Sequence, residues 1–208
     1  MNVYRTSLTL LLIFCVPVFA SDNTQDLQNQ LNKYTQLSGH FTQIISNEHG
    51  KQTQSSEGEF WVKKPNQFRW NYQSPYIQKI VSNGDTLWIY DEDLEQVSIK
   101  AASKTIDSSP LSIILGSTNL EQLFKVTKLA DKDGIDWIKL TPITDNSGFD
   151  YIDIGFNNGV LNRMILRDSF GQTTRLLFTA VAVNSPIDDE VFTFVIPDGA
   201  DVFEELAE

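Results

Sequence analysis

Short segments of alternating apolar and polar residues recur through most of this chain, about ten residues apart. Turn residues separate them, and three turns contain an Asn-Gly or Asp-Gly pair, at residues 83–84, 133–134 and 158–159. Such pairs readily adopt the positive φ angles of tight hairpins. The pattern predicts an antiparallel meander of about eleven strands. The predicted strands are 38–46, 52–63, 67–73, 77–82, 86–91, 95–100, 124–129, 135–141, 149–156, 160–168 and 173–183.

Helical patterns are few and short. Apolar residues at helical spacing precede the first strand, and an apolar segment interrupts the meander after residue 100. In that segment Pro110 follows two serines, which favours a helix start, and Gly116 favours a helix end. The predicted helical segments are the one containing Leu27, Leu31 and Tyr34, the segment 108–116, a short turn around 120–124 and a turn at 188–191.

A sheet of about eleven strands must curl or close. One curved sheet has a concave side, and the few helices would cover it. The predicted fold class is therefore mainly β, with a sheet that curls towards a barrel and short helices over its open side. An apolar cavity between the sheet and the helices becomes physically possible.

The N-terminus has the pattern of a signal peptide. Arg5 precedes an apolar run at residues 8–18, and Ala20 ends a small-residue cleavage pattern. We expect cleavage after Ala20, which leaves one domain at 21–208. The alternative is an uncleaved anchor, but the run is short for a membrane span and polar residues follow it at once.

Cysteine and charge narrow the class of protein. The only cysteine, Cys15, lies inside the apolar run and follows Phe14, where a lipid-modified bacterial protein needs a small residue. Without Arg5 the chain has 15 basic and 27 acidic residues, a net charge of −12. Such a chain lacks the basic stripe that nucleic-acid binding requires. We expect a freely diffusing exported monomer whose stability rests on its core alone.

Three segments offer candidate walls for an apolar cavity. The strand at 67–73 has three aromatic residues two apart, and therefore on one face. The strand at 86–91 is apolar on both faces, so parity alone leaves open which face meets the cavity. The segment 108–116 is too apolar for an exposed helix, and is either a core helix or a lid. The candidate acyl-chain-binding residues are Phe68, Trp70, Tyr72, Leu87, Ile89, Ile113, Ile114 and Leu115.

Signals for catalysis and metal binding are absent from the sequence. The two histidines, His40 and His49, lie in or beside the first hairpin, and no HExxH, GxSxG or Walker pattern occurs. The consecutive acids at 91–93 lack the spacing of a calcium loop and are interpreted as a solvated turn. We predict neither an enzyme nor a cofactor.

Residues 57–70, EGEFWVKKPNQFRW, resemble the signature stretch of the LolA family of periplasmic lipoprotein carriers. The similarity continues through IVSNGDTLWIY at 80–90 and EQV at 95–97. Phe41-Thr42-Gln43 and Phe192-Thr193-Phe194 also match the family, so the resemblance covers nearly all of 21–208.

The resemblance implies an unclosed β-barrel of eleven antiparallel strands with a helical lid and a cavity for lipoprotein acyl chains. It implies that an inner-membrane ABC transporter supplies the cargo and an outer-membrane receptor accepts it. It also implies that Phe68 and Trp70 line the cavity. Family members commonly have an arginine before the proline that holds the lid shut. Here that residue is Lys64, which lacks the planar five-donor fork of arginine.

Alternatives from other classes remain at this point. The outer-membrane receptor family LolB shares the fold but is lipidated, which the residues around Cys15 disfavour. A lipid sensor or a carrier of another lipid could use the same half-barrel. An exported hydrolase would need a catalytic group assembled only by the fold.

Overall fold

The computed structural model describes residues 23–102, 111–116, 119–144 and 148–205. The expected signal peptide, and the start of the predicted 108–116 helix, lie outside these residues. The strands are β1 Gln36–Ser46, β2 Gln52–Lys63, β3 Gln67–Ser74, β4 Gln78–Asn83, β5 Thr86–Asp91, β6 Gln96–Ala101, β7 Phe124–Lys128, β8 Asp136–Pro142, β9 Phe149–Asn157, β10 Val160–Asp168, β11 Thr173–Val183 and β12 Asp201–Glu205. The helices in the described ranges are α1 Asn23–Asn32, α2 Leu111–Leu115, α3 Leu120–Leu123 and a 3₁₀ turn at Asp189–Phe192.

All twelve strands belong to one sheet, ordered β12-β6-β5-β4-β3-β2-β1-β11-β10-β9-β8-β7. The eleven strands predicted from the sequence are present, and all pairings among these eleven are antiparallel. The twelfth corrects the prediction, because β12 was not expected and pairs parallel with β6. A twisted sheet of this size curls, and here it does so without closing.

The predicted Asn-Gly and Asp-Gly pairs lie in the tight turns between strands. Asp133 and Gly134 both have positive φ, as do Asn158 and Gly159, which is the geometry of a two-residue hairpin turn. At the third pair only Gly84 has positive φ. There the Asn83 side chain accepts hydrogen bonds from the backbone N–H groups of Asp85 and Thr86 instead.

One face of the sheet, here called the inner face, carries the main apolar cluster. Alternation places one residue in two from each strand on this face. The helices close over it: Leu27 and Leu31 of α1, and Leu120 of α3, are almost fully buried in the same cluster. Tyr34, just beyond α1, donates a hydrogen bond from its hydroxyl to the Gly159 carbonyl at 2.5 Å, which fixes the end of this helix to the β9–β10 turn.

The C-terminal segment covers part of the opposite face, here called the outer face. The Phe194 ring lies 6.2 Å from Trp88 and 6.0 Å from Tyr90, centroid to centroid. Arg69 donates a hydrogen bond to the Val191 carbonyl at 3.1 Å. This packing explains why β5 is apolar on both faces: one face meets the main cluster and the other meets this segment.

Candidate functional site

An aromatic row forms the middle of the inner face. Phe68, Trp70 and Tyr72 alternate along β3, and the register sets Trp70 beside Phe60 of β2. The Trp70 ring lies 4.4 Å from Phe41 and 5.5 Å from Phe60, centroid to centroid. Offset and edge contacts at such distances stabilise aromatic clusters beyond the apolar area that they bury. The row runs from the fully buried end at Phe68 towards the half-buried Tyr72.

The structure resolves the orientation of β5, which the sequence left open. Leu87 and Ile89 lie on the inner face, against the main cluster, while Trp88 and Tyr90 lie on the outer face. The register explains this placement, because Ile89 pairs with Ile80 of β4, and Ile80 pairs with Trp70. The two predicted residues of β5 therefore extend the wall begun by the aromatic row.

Helix α2 covers this wall. Ile113, Ile114 and Leu115 are 1%, 4% and 2% exposed, and all three belong to the main cluster. Three consecutive residues of a helix point in different directions, so their joint burial requires neighbours on several sides. In this conformation the three side chains pack in the same cluster as the residues of the aromatic row and of β5.

Lys64 lies where the ends of two helices meet. Its ammonium group donates a hydrogen bond to the Leu31 carbonyl at 2.7 Å, in the last turn of α1. It also approaches Gly116 beyond α2, where a Cβ atom would lie 3.0 Å from the Lys64 nitrogen. Burial lowers the pKa of Lys64. The structure thus places Lys64, the predicted latch residue, between the ends of α1 and α2, with its hydrogen bond directed to α1.

A polar cavity at the far end of the aromatic row was not predicted. Its volume is about 390 Å³, and Tyr72 forms part of its wall. The Tyr72 hydroxyl donates a hydrogen bond to the Gln43 amide oxygen at 3.3 Å. Gln43, Gln54 and Gln78 also line it. Sequence parity could have placed these glutamines on the inner face, but only the sheet order shows that they converge.

The predicted site residues are brought together on one surface. The eight candidates for acyl-chain binding all belong to the main cluster or pack against it, and Lys64 lies at its helical edge. Within the described ranges, no group of three or more His, Cys, Asp or Glu residues could hold a metal ion. No helix in that part of the chain is long and apolar enough to cross a bilayer.

Fold and site together define a class: an open antiparallel β-sheet whose apolar inner face is covered by short helices. The crystal structure of an uncharacterized conserved protein from Thermus thermophilus shares this fold, with a TM-score of 0.54 and 11% identity over 87% of this chain and 98% of that one. The family model of the outer membrane lipoprotein carrier protein LolA matches residues 32–195. The chain belongs to the LolA family.

Two relatives named outer-membrane lipoprotein carrier protein support this membership over nearly the full length. The one from Methylobacillus flagellatus is 36% identical over 185 residues, covering 89% of this chain and 90% of the relative. The one from Methylococcus capsulatus is 38% identical over 191 residues, covering 90% and 92%. The resemblance noted at residues 57–97 therefore extends to the whole fold.

Proposed function

We propose that this protein is a periplasmic carrier that shields the acyl chains of lipoproteins against the inner face of its sheet. The main support for this proposal is one apolar cluster formed by residues of β3, β5 and α2. None of the eight predicted site residues in it is charged. The relatives are named outer-membrane lipoprotein carrier protein, and this supports lipoproteins as the cargo. No catalytic role is needed for this function.

The physical need for such a carrier follows from transfer free energies. Each CH₂ group exposed to water costs about 0.8 kcal/mol, so one chain of about fifteen carbons costs roughly 12 kcal/mol. Binding must nevertheless be reversible for delivery. A lid whose own apolar residues occupy the site when it is empty meets both needs, because opening loses the packing of α2 and so offsets part of the acyl burial.

The residues divide into wall and lid. Phe68, Trp70, Tyr72, Leu87 and Ile89 would contact the acyl chains from the sheet. The α2 residues Ile113, Ile114 and Leu115 would leave the wall when cargo enters and then cover the chains from the other side. Lys64 would hold the closed state, through its bond to the end of α1 and its approach to Gly116 beyond α2.

The proposed function also includes export to the periplasm and transfer of cargo between two membrane partners. Cleavage after Ala20 would release residues 21–208 as a single monomeric domain into the periplasm. An inner-membrane ABC transporter would supply the lipoproteins, and an outer-membrane receptor would accept them. The family membership supports this route, and the acidic surface suits a protein that leaves anionic membranes readily.

The test is release of lipoproteins from spheroplasts. Residues 21–208 should bring lipoproteins into the soluble fraction, whereas buffer alone should not. A second sample should contain one engineered disulfide between α2 and the inner face of the sheet. Residues 21–208 have no cysteine of their own, so the introduced pair cannot mispair. The oxidised form should lose release and the reduced form should regain it. Full release by the oxidised form would contradict the lid mechanism, and no release by the natural sequence would contradict the carrier function.

A further inference from the structure

The polar cavity beyond Tyr72 has a chemistry that an acyl chain does not require. The lining residues are Gln43, Gln54, Ser56, Tyr72, Pro75, Tyr76, Gln78, Asp91, Asp93 and Leu94. Three primary amides and three hydroxyls offer both donors and acceptors. The Tyr72 hydroxyl bonds to Gln43 and the Gln54 amide to Ser56, and a hydrocarbon tail would offer the remaining donors and acceptors no partner. The cavity therefore fits a different part of a ligand from the part that fits the aromatic row.

The cavity and the apolar wall are continuous through Tyr72. Its ring contacts Phe41 edge-on, with centroids 5.1 Å apart, while its hydroxyl meets Gln43. Burial raises the pKa of Tyr72, so the hydroxyl stays protonated and can donate. A ligand lying along the row would therefore pass from an apolar to a hydrogen-bonding environment at this residue.

One buried donor in the row has no partner. The Trp70 indole N–H is buried without a hydrogen bond to any described residue. Trp70 and Tyr72 alternate on the same face of β3, so the indole lies next to the Tyr72 side chain. Buried polar groups in native proteins are normally hydrogen-bonded, and an exception calls for an explanation such as a ligand. An ester or amide carbonyl near Tyr72 would accept from this group.

Charge at the cavity excludes one class of lipid. Asp91 and Asp93 stand in its lining, and the chain as a whole has a net charge of −11. A phosphate or a free carboxylate there would be repelled by both aspartates. Neutral esters and amides would meet no such repulsion.

We propose, resting on the carrier function above, that this cavity binds the junction between acyl chains and polypeptide in a lipoprotein. The glyceryl esters and the N-terminal amide of the acylated cysteine would meet Gln54, Gln78 and the Trp70 N–H, while the chains lie along the aromatic row. The site thereby favours lipoproteins over anionic phospholipids with the same chains.

The test compares two inner-face glutamines with one on the outer face. In the double variant Gln54→Met, Gln78→Met the side-chain lengths are kept and the amides are lost. Gln73→Met is the matched control, because Gln73 lies in β3 on the opposite face and its amide meets Glu59. Three ligands are titrated against residues 21–208: a synthetic triacylated cysteinyl-serinamide, phosphatidylglycerol with the same chains, and the apolar dye N-phenylnaphthylamine.

The double variant should bind the triacylated peptide about thirtyfold more weakly, since two hydrogen bonds are lost and each contributes about 1 kcal/mol. Its affinity for the dye should be unchanged, and Gln73→Met should match the natural protein with every ligand. Asp93→Asn should bind phosphatidylglycerol more tightly than the natural protein does.

The outcomes separate this inference from the function on which it rests. No binding of the triacylated peptide by the natural protein would overturn both. Equal binding by the natural protein and the double variant would leave the carrier in place and overturn the polar site. Equal weakening of peptide and dye would also overturn it, because the loss would then not depend on the polar junction. Unchanged phosphatidylglycerol binding by Asp93→Asn would overturn the proposed charge selection.

Discussion

The ammonium nitrogen of Lys64 lies 2.7 Å from the carbonyl oxygen of Leu31, in the last turn of α1. The last carbonyls of a helix have no partner within the helix, and the dipole makes this end partly negative. The Leu31 carbonyl also accepts a hydrogen bond from the Tyr34 backbone N–H at 3.1 Å, so Lys64 is its second donor. Lys64 is thus well placed to stabilise α1, and its approach to Gly116 brings the end of α2 to the same point. A substitution here should affect both helices.

Lys64→Met should lower the free energy of unfolding by about 1 kcal/mol, because it removes the donor and keeps the apolar stem. Lys64→Arg should retain most of the stability, since guanidinium also donates to carbonyls. Urea denaturation monitored by tryptophan fluorescence measures both. Lys51→Met, in the exposed β1–β2 turn, is the control. An equal loss in the control would show that the Leu31 bond contributes nothing of its own.

Gly116→Ala should be more destabilising than Gly134→Ala. Both glycines have positive φ, +72° and +74°, so both substitutions incur the same backbone strain of about 1 kcal/mol. Only at Gly116 would the new methyl group meet Lys64, at 3.0 Å, whereas nothing lies within 4 Å of a Cβ at Gly134. Thermal unfolding of the two variants isolates this contact. Equal melting temperatures would mean that Lys64 moves aside freely.

Ile89→Thr should weaken binding of an acyl probe, while Ile99→Thr should not. The two changes are chemically identical, and both residues are half-buried. Ile89 faces the main cluster, whereas Ile99 pairs with Trp88 on the outer face. We expect about a fivefold loss at Ile89, from the burial of one hydroxyl in place of an ethyl group. Displacement of N-phenylnaphthylamine by dodecanoic acid gives the affinities. Equal losses of affinity in the two variants would contradict the assignment of the inner face as the binding face.

Asp153 should make the stability of the protein depend on pH in the acid range. Burial raises its pKa above the ordinary value of 3.8, although Lys139, at 3.3 Å, offsets part of the shift. The protonated form is therefore favoured by folding. Its stabilising contribution is complete below pH 3.8 and is lost as the pH rises through the raised pKa. The free energy of unfolding of the natural protein minus that of Asp153→Asn should therefore fall over this interval. A difference that rises with pH would mean that the Lys139 pair dominates.

The sequence predicted the eleven antiparallel strands well because their signals are local. Alternation fixes which residues share a face, and pairs such as Asn158-Gly159 fix the turns. The aromatic row of β3 and the apolar helix containing Ile114 were visible for the same reason. Each is a property of a few consecutive residues.

The features that the sequence missed depend on partners distant along the chain. Parity could not say whether Leu87 or Trp88 faces the main cluster, because both faces of β5 find apolar neighbours. Strand β12 is acidic and all five of its residues are exposed, so it has no apolar pattern to detect. By pairing with β6, it satisfies the backbone N–H and C=O groups of a strand that would otherwise be at the edge of the sheet. This pairing buries no side chains of β12, so the sequence gives no apolar pattern that predicts it. The three glutamines of the polar cavity lie in three different strands: Gln43 in β1, Gln54 in β2 and Gln78 in β4. In the sequence each one looks like an ordinary polar residue of a strand.

The order of strands ends at β12 on one side and β7 on the other, and in the described part of the chain no ladder joins them. A closed barrel has a radius set by its strand number and stagger. This sheet has no such constraint, so small changes of twist between strands can widen or narrow its interior while every backbone pair stays intact. The capacity of the protein can therefore adjust to cargo of different bulk, from a single slim tail to several side by side, without any unfolding of the sheet.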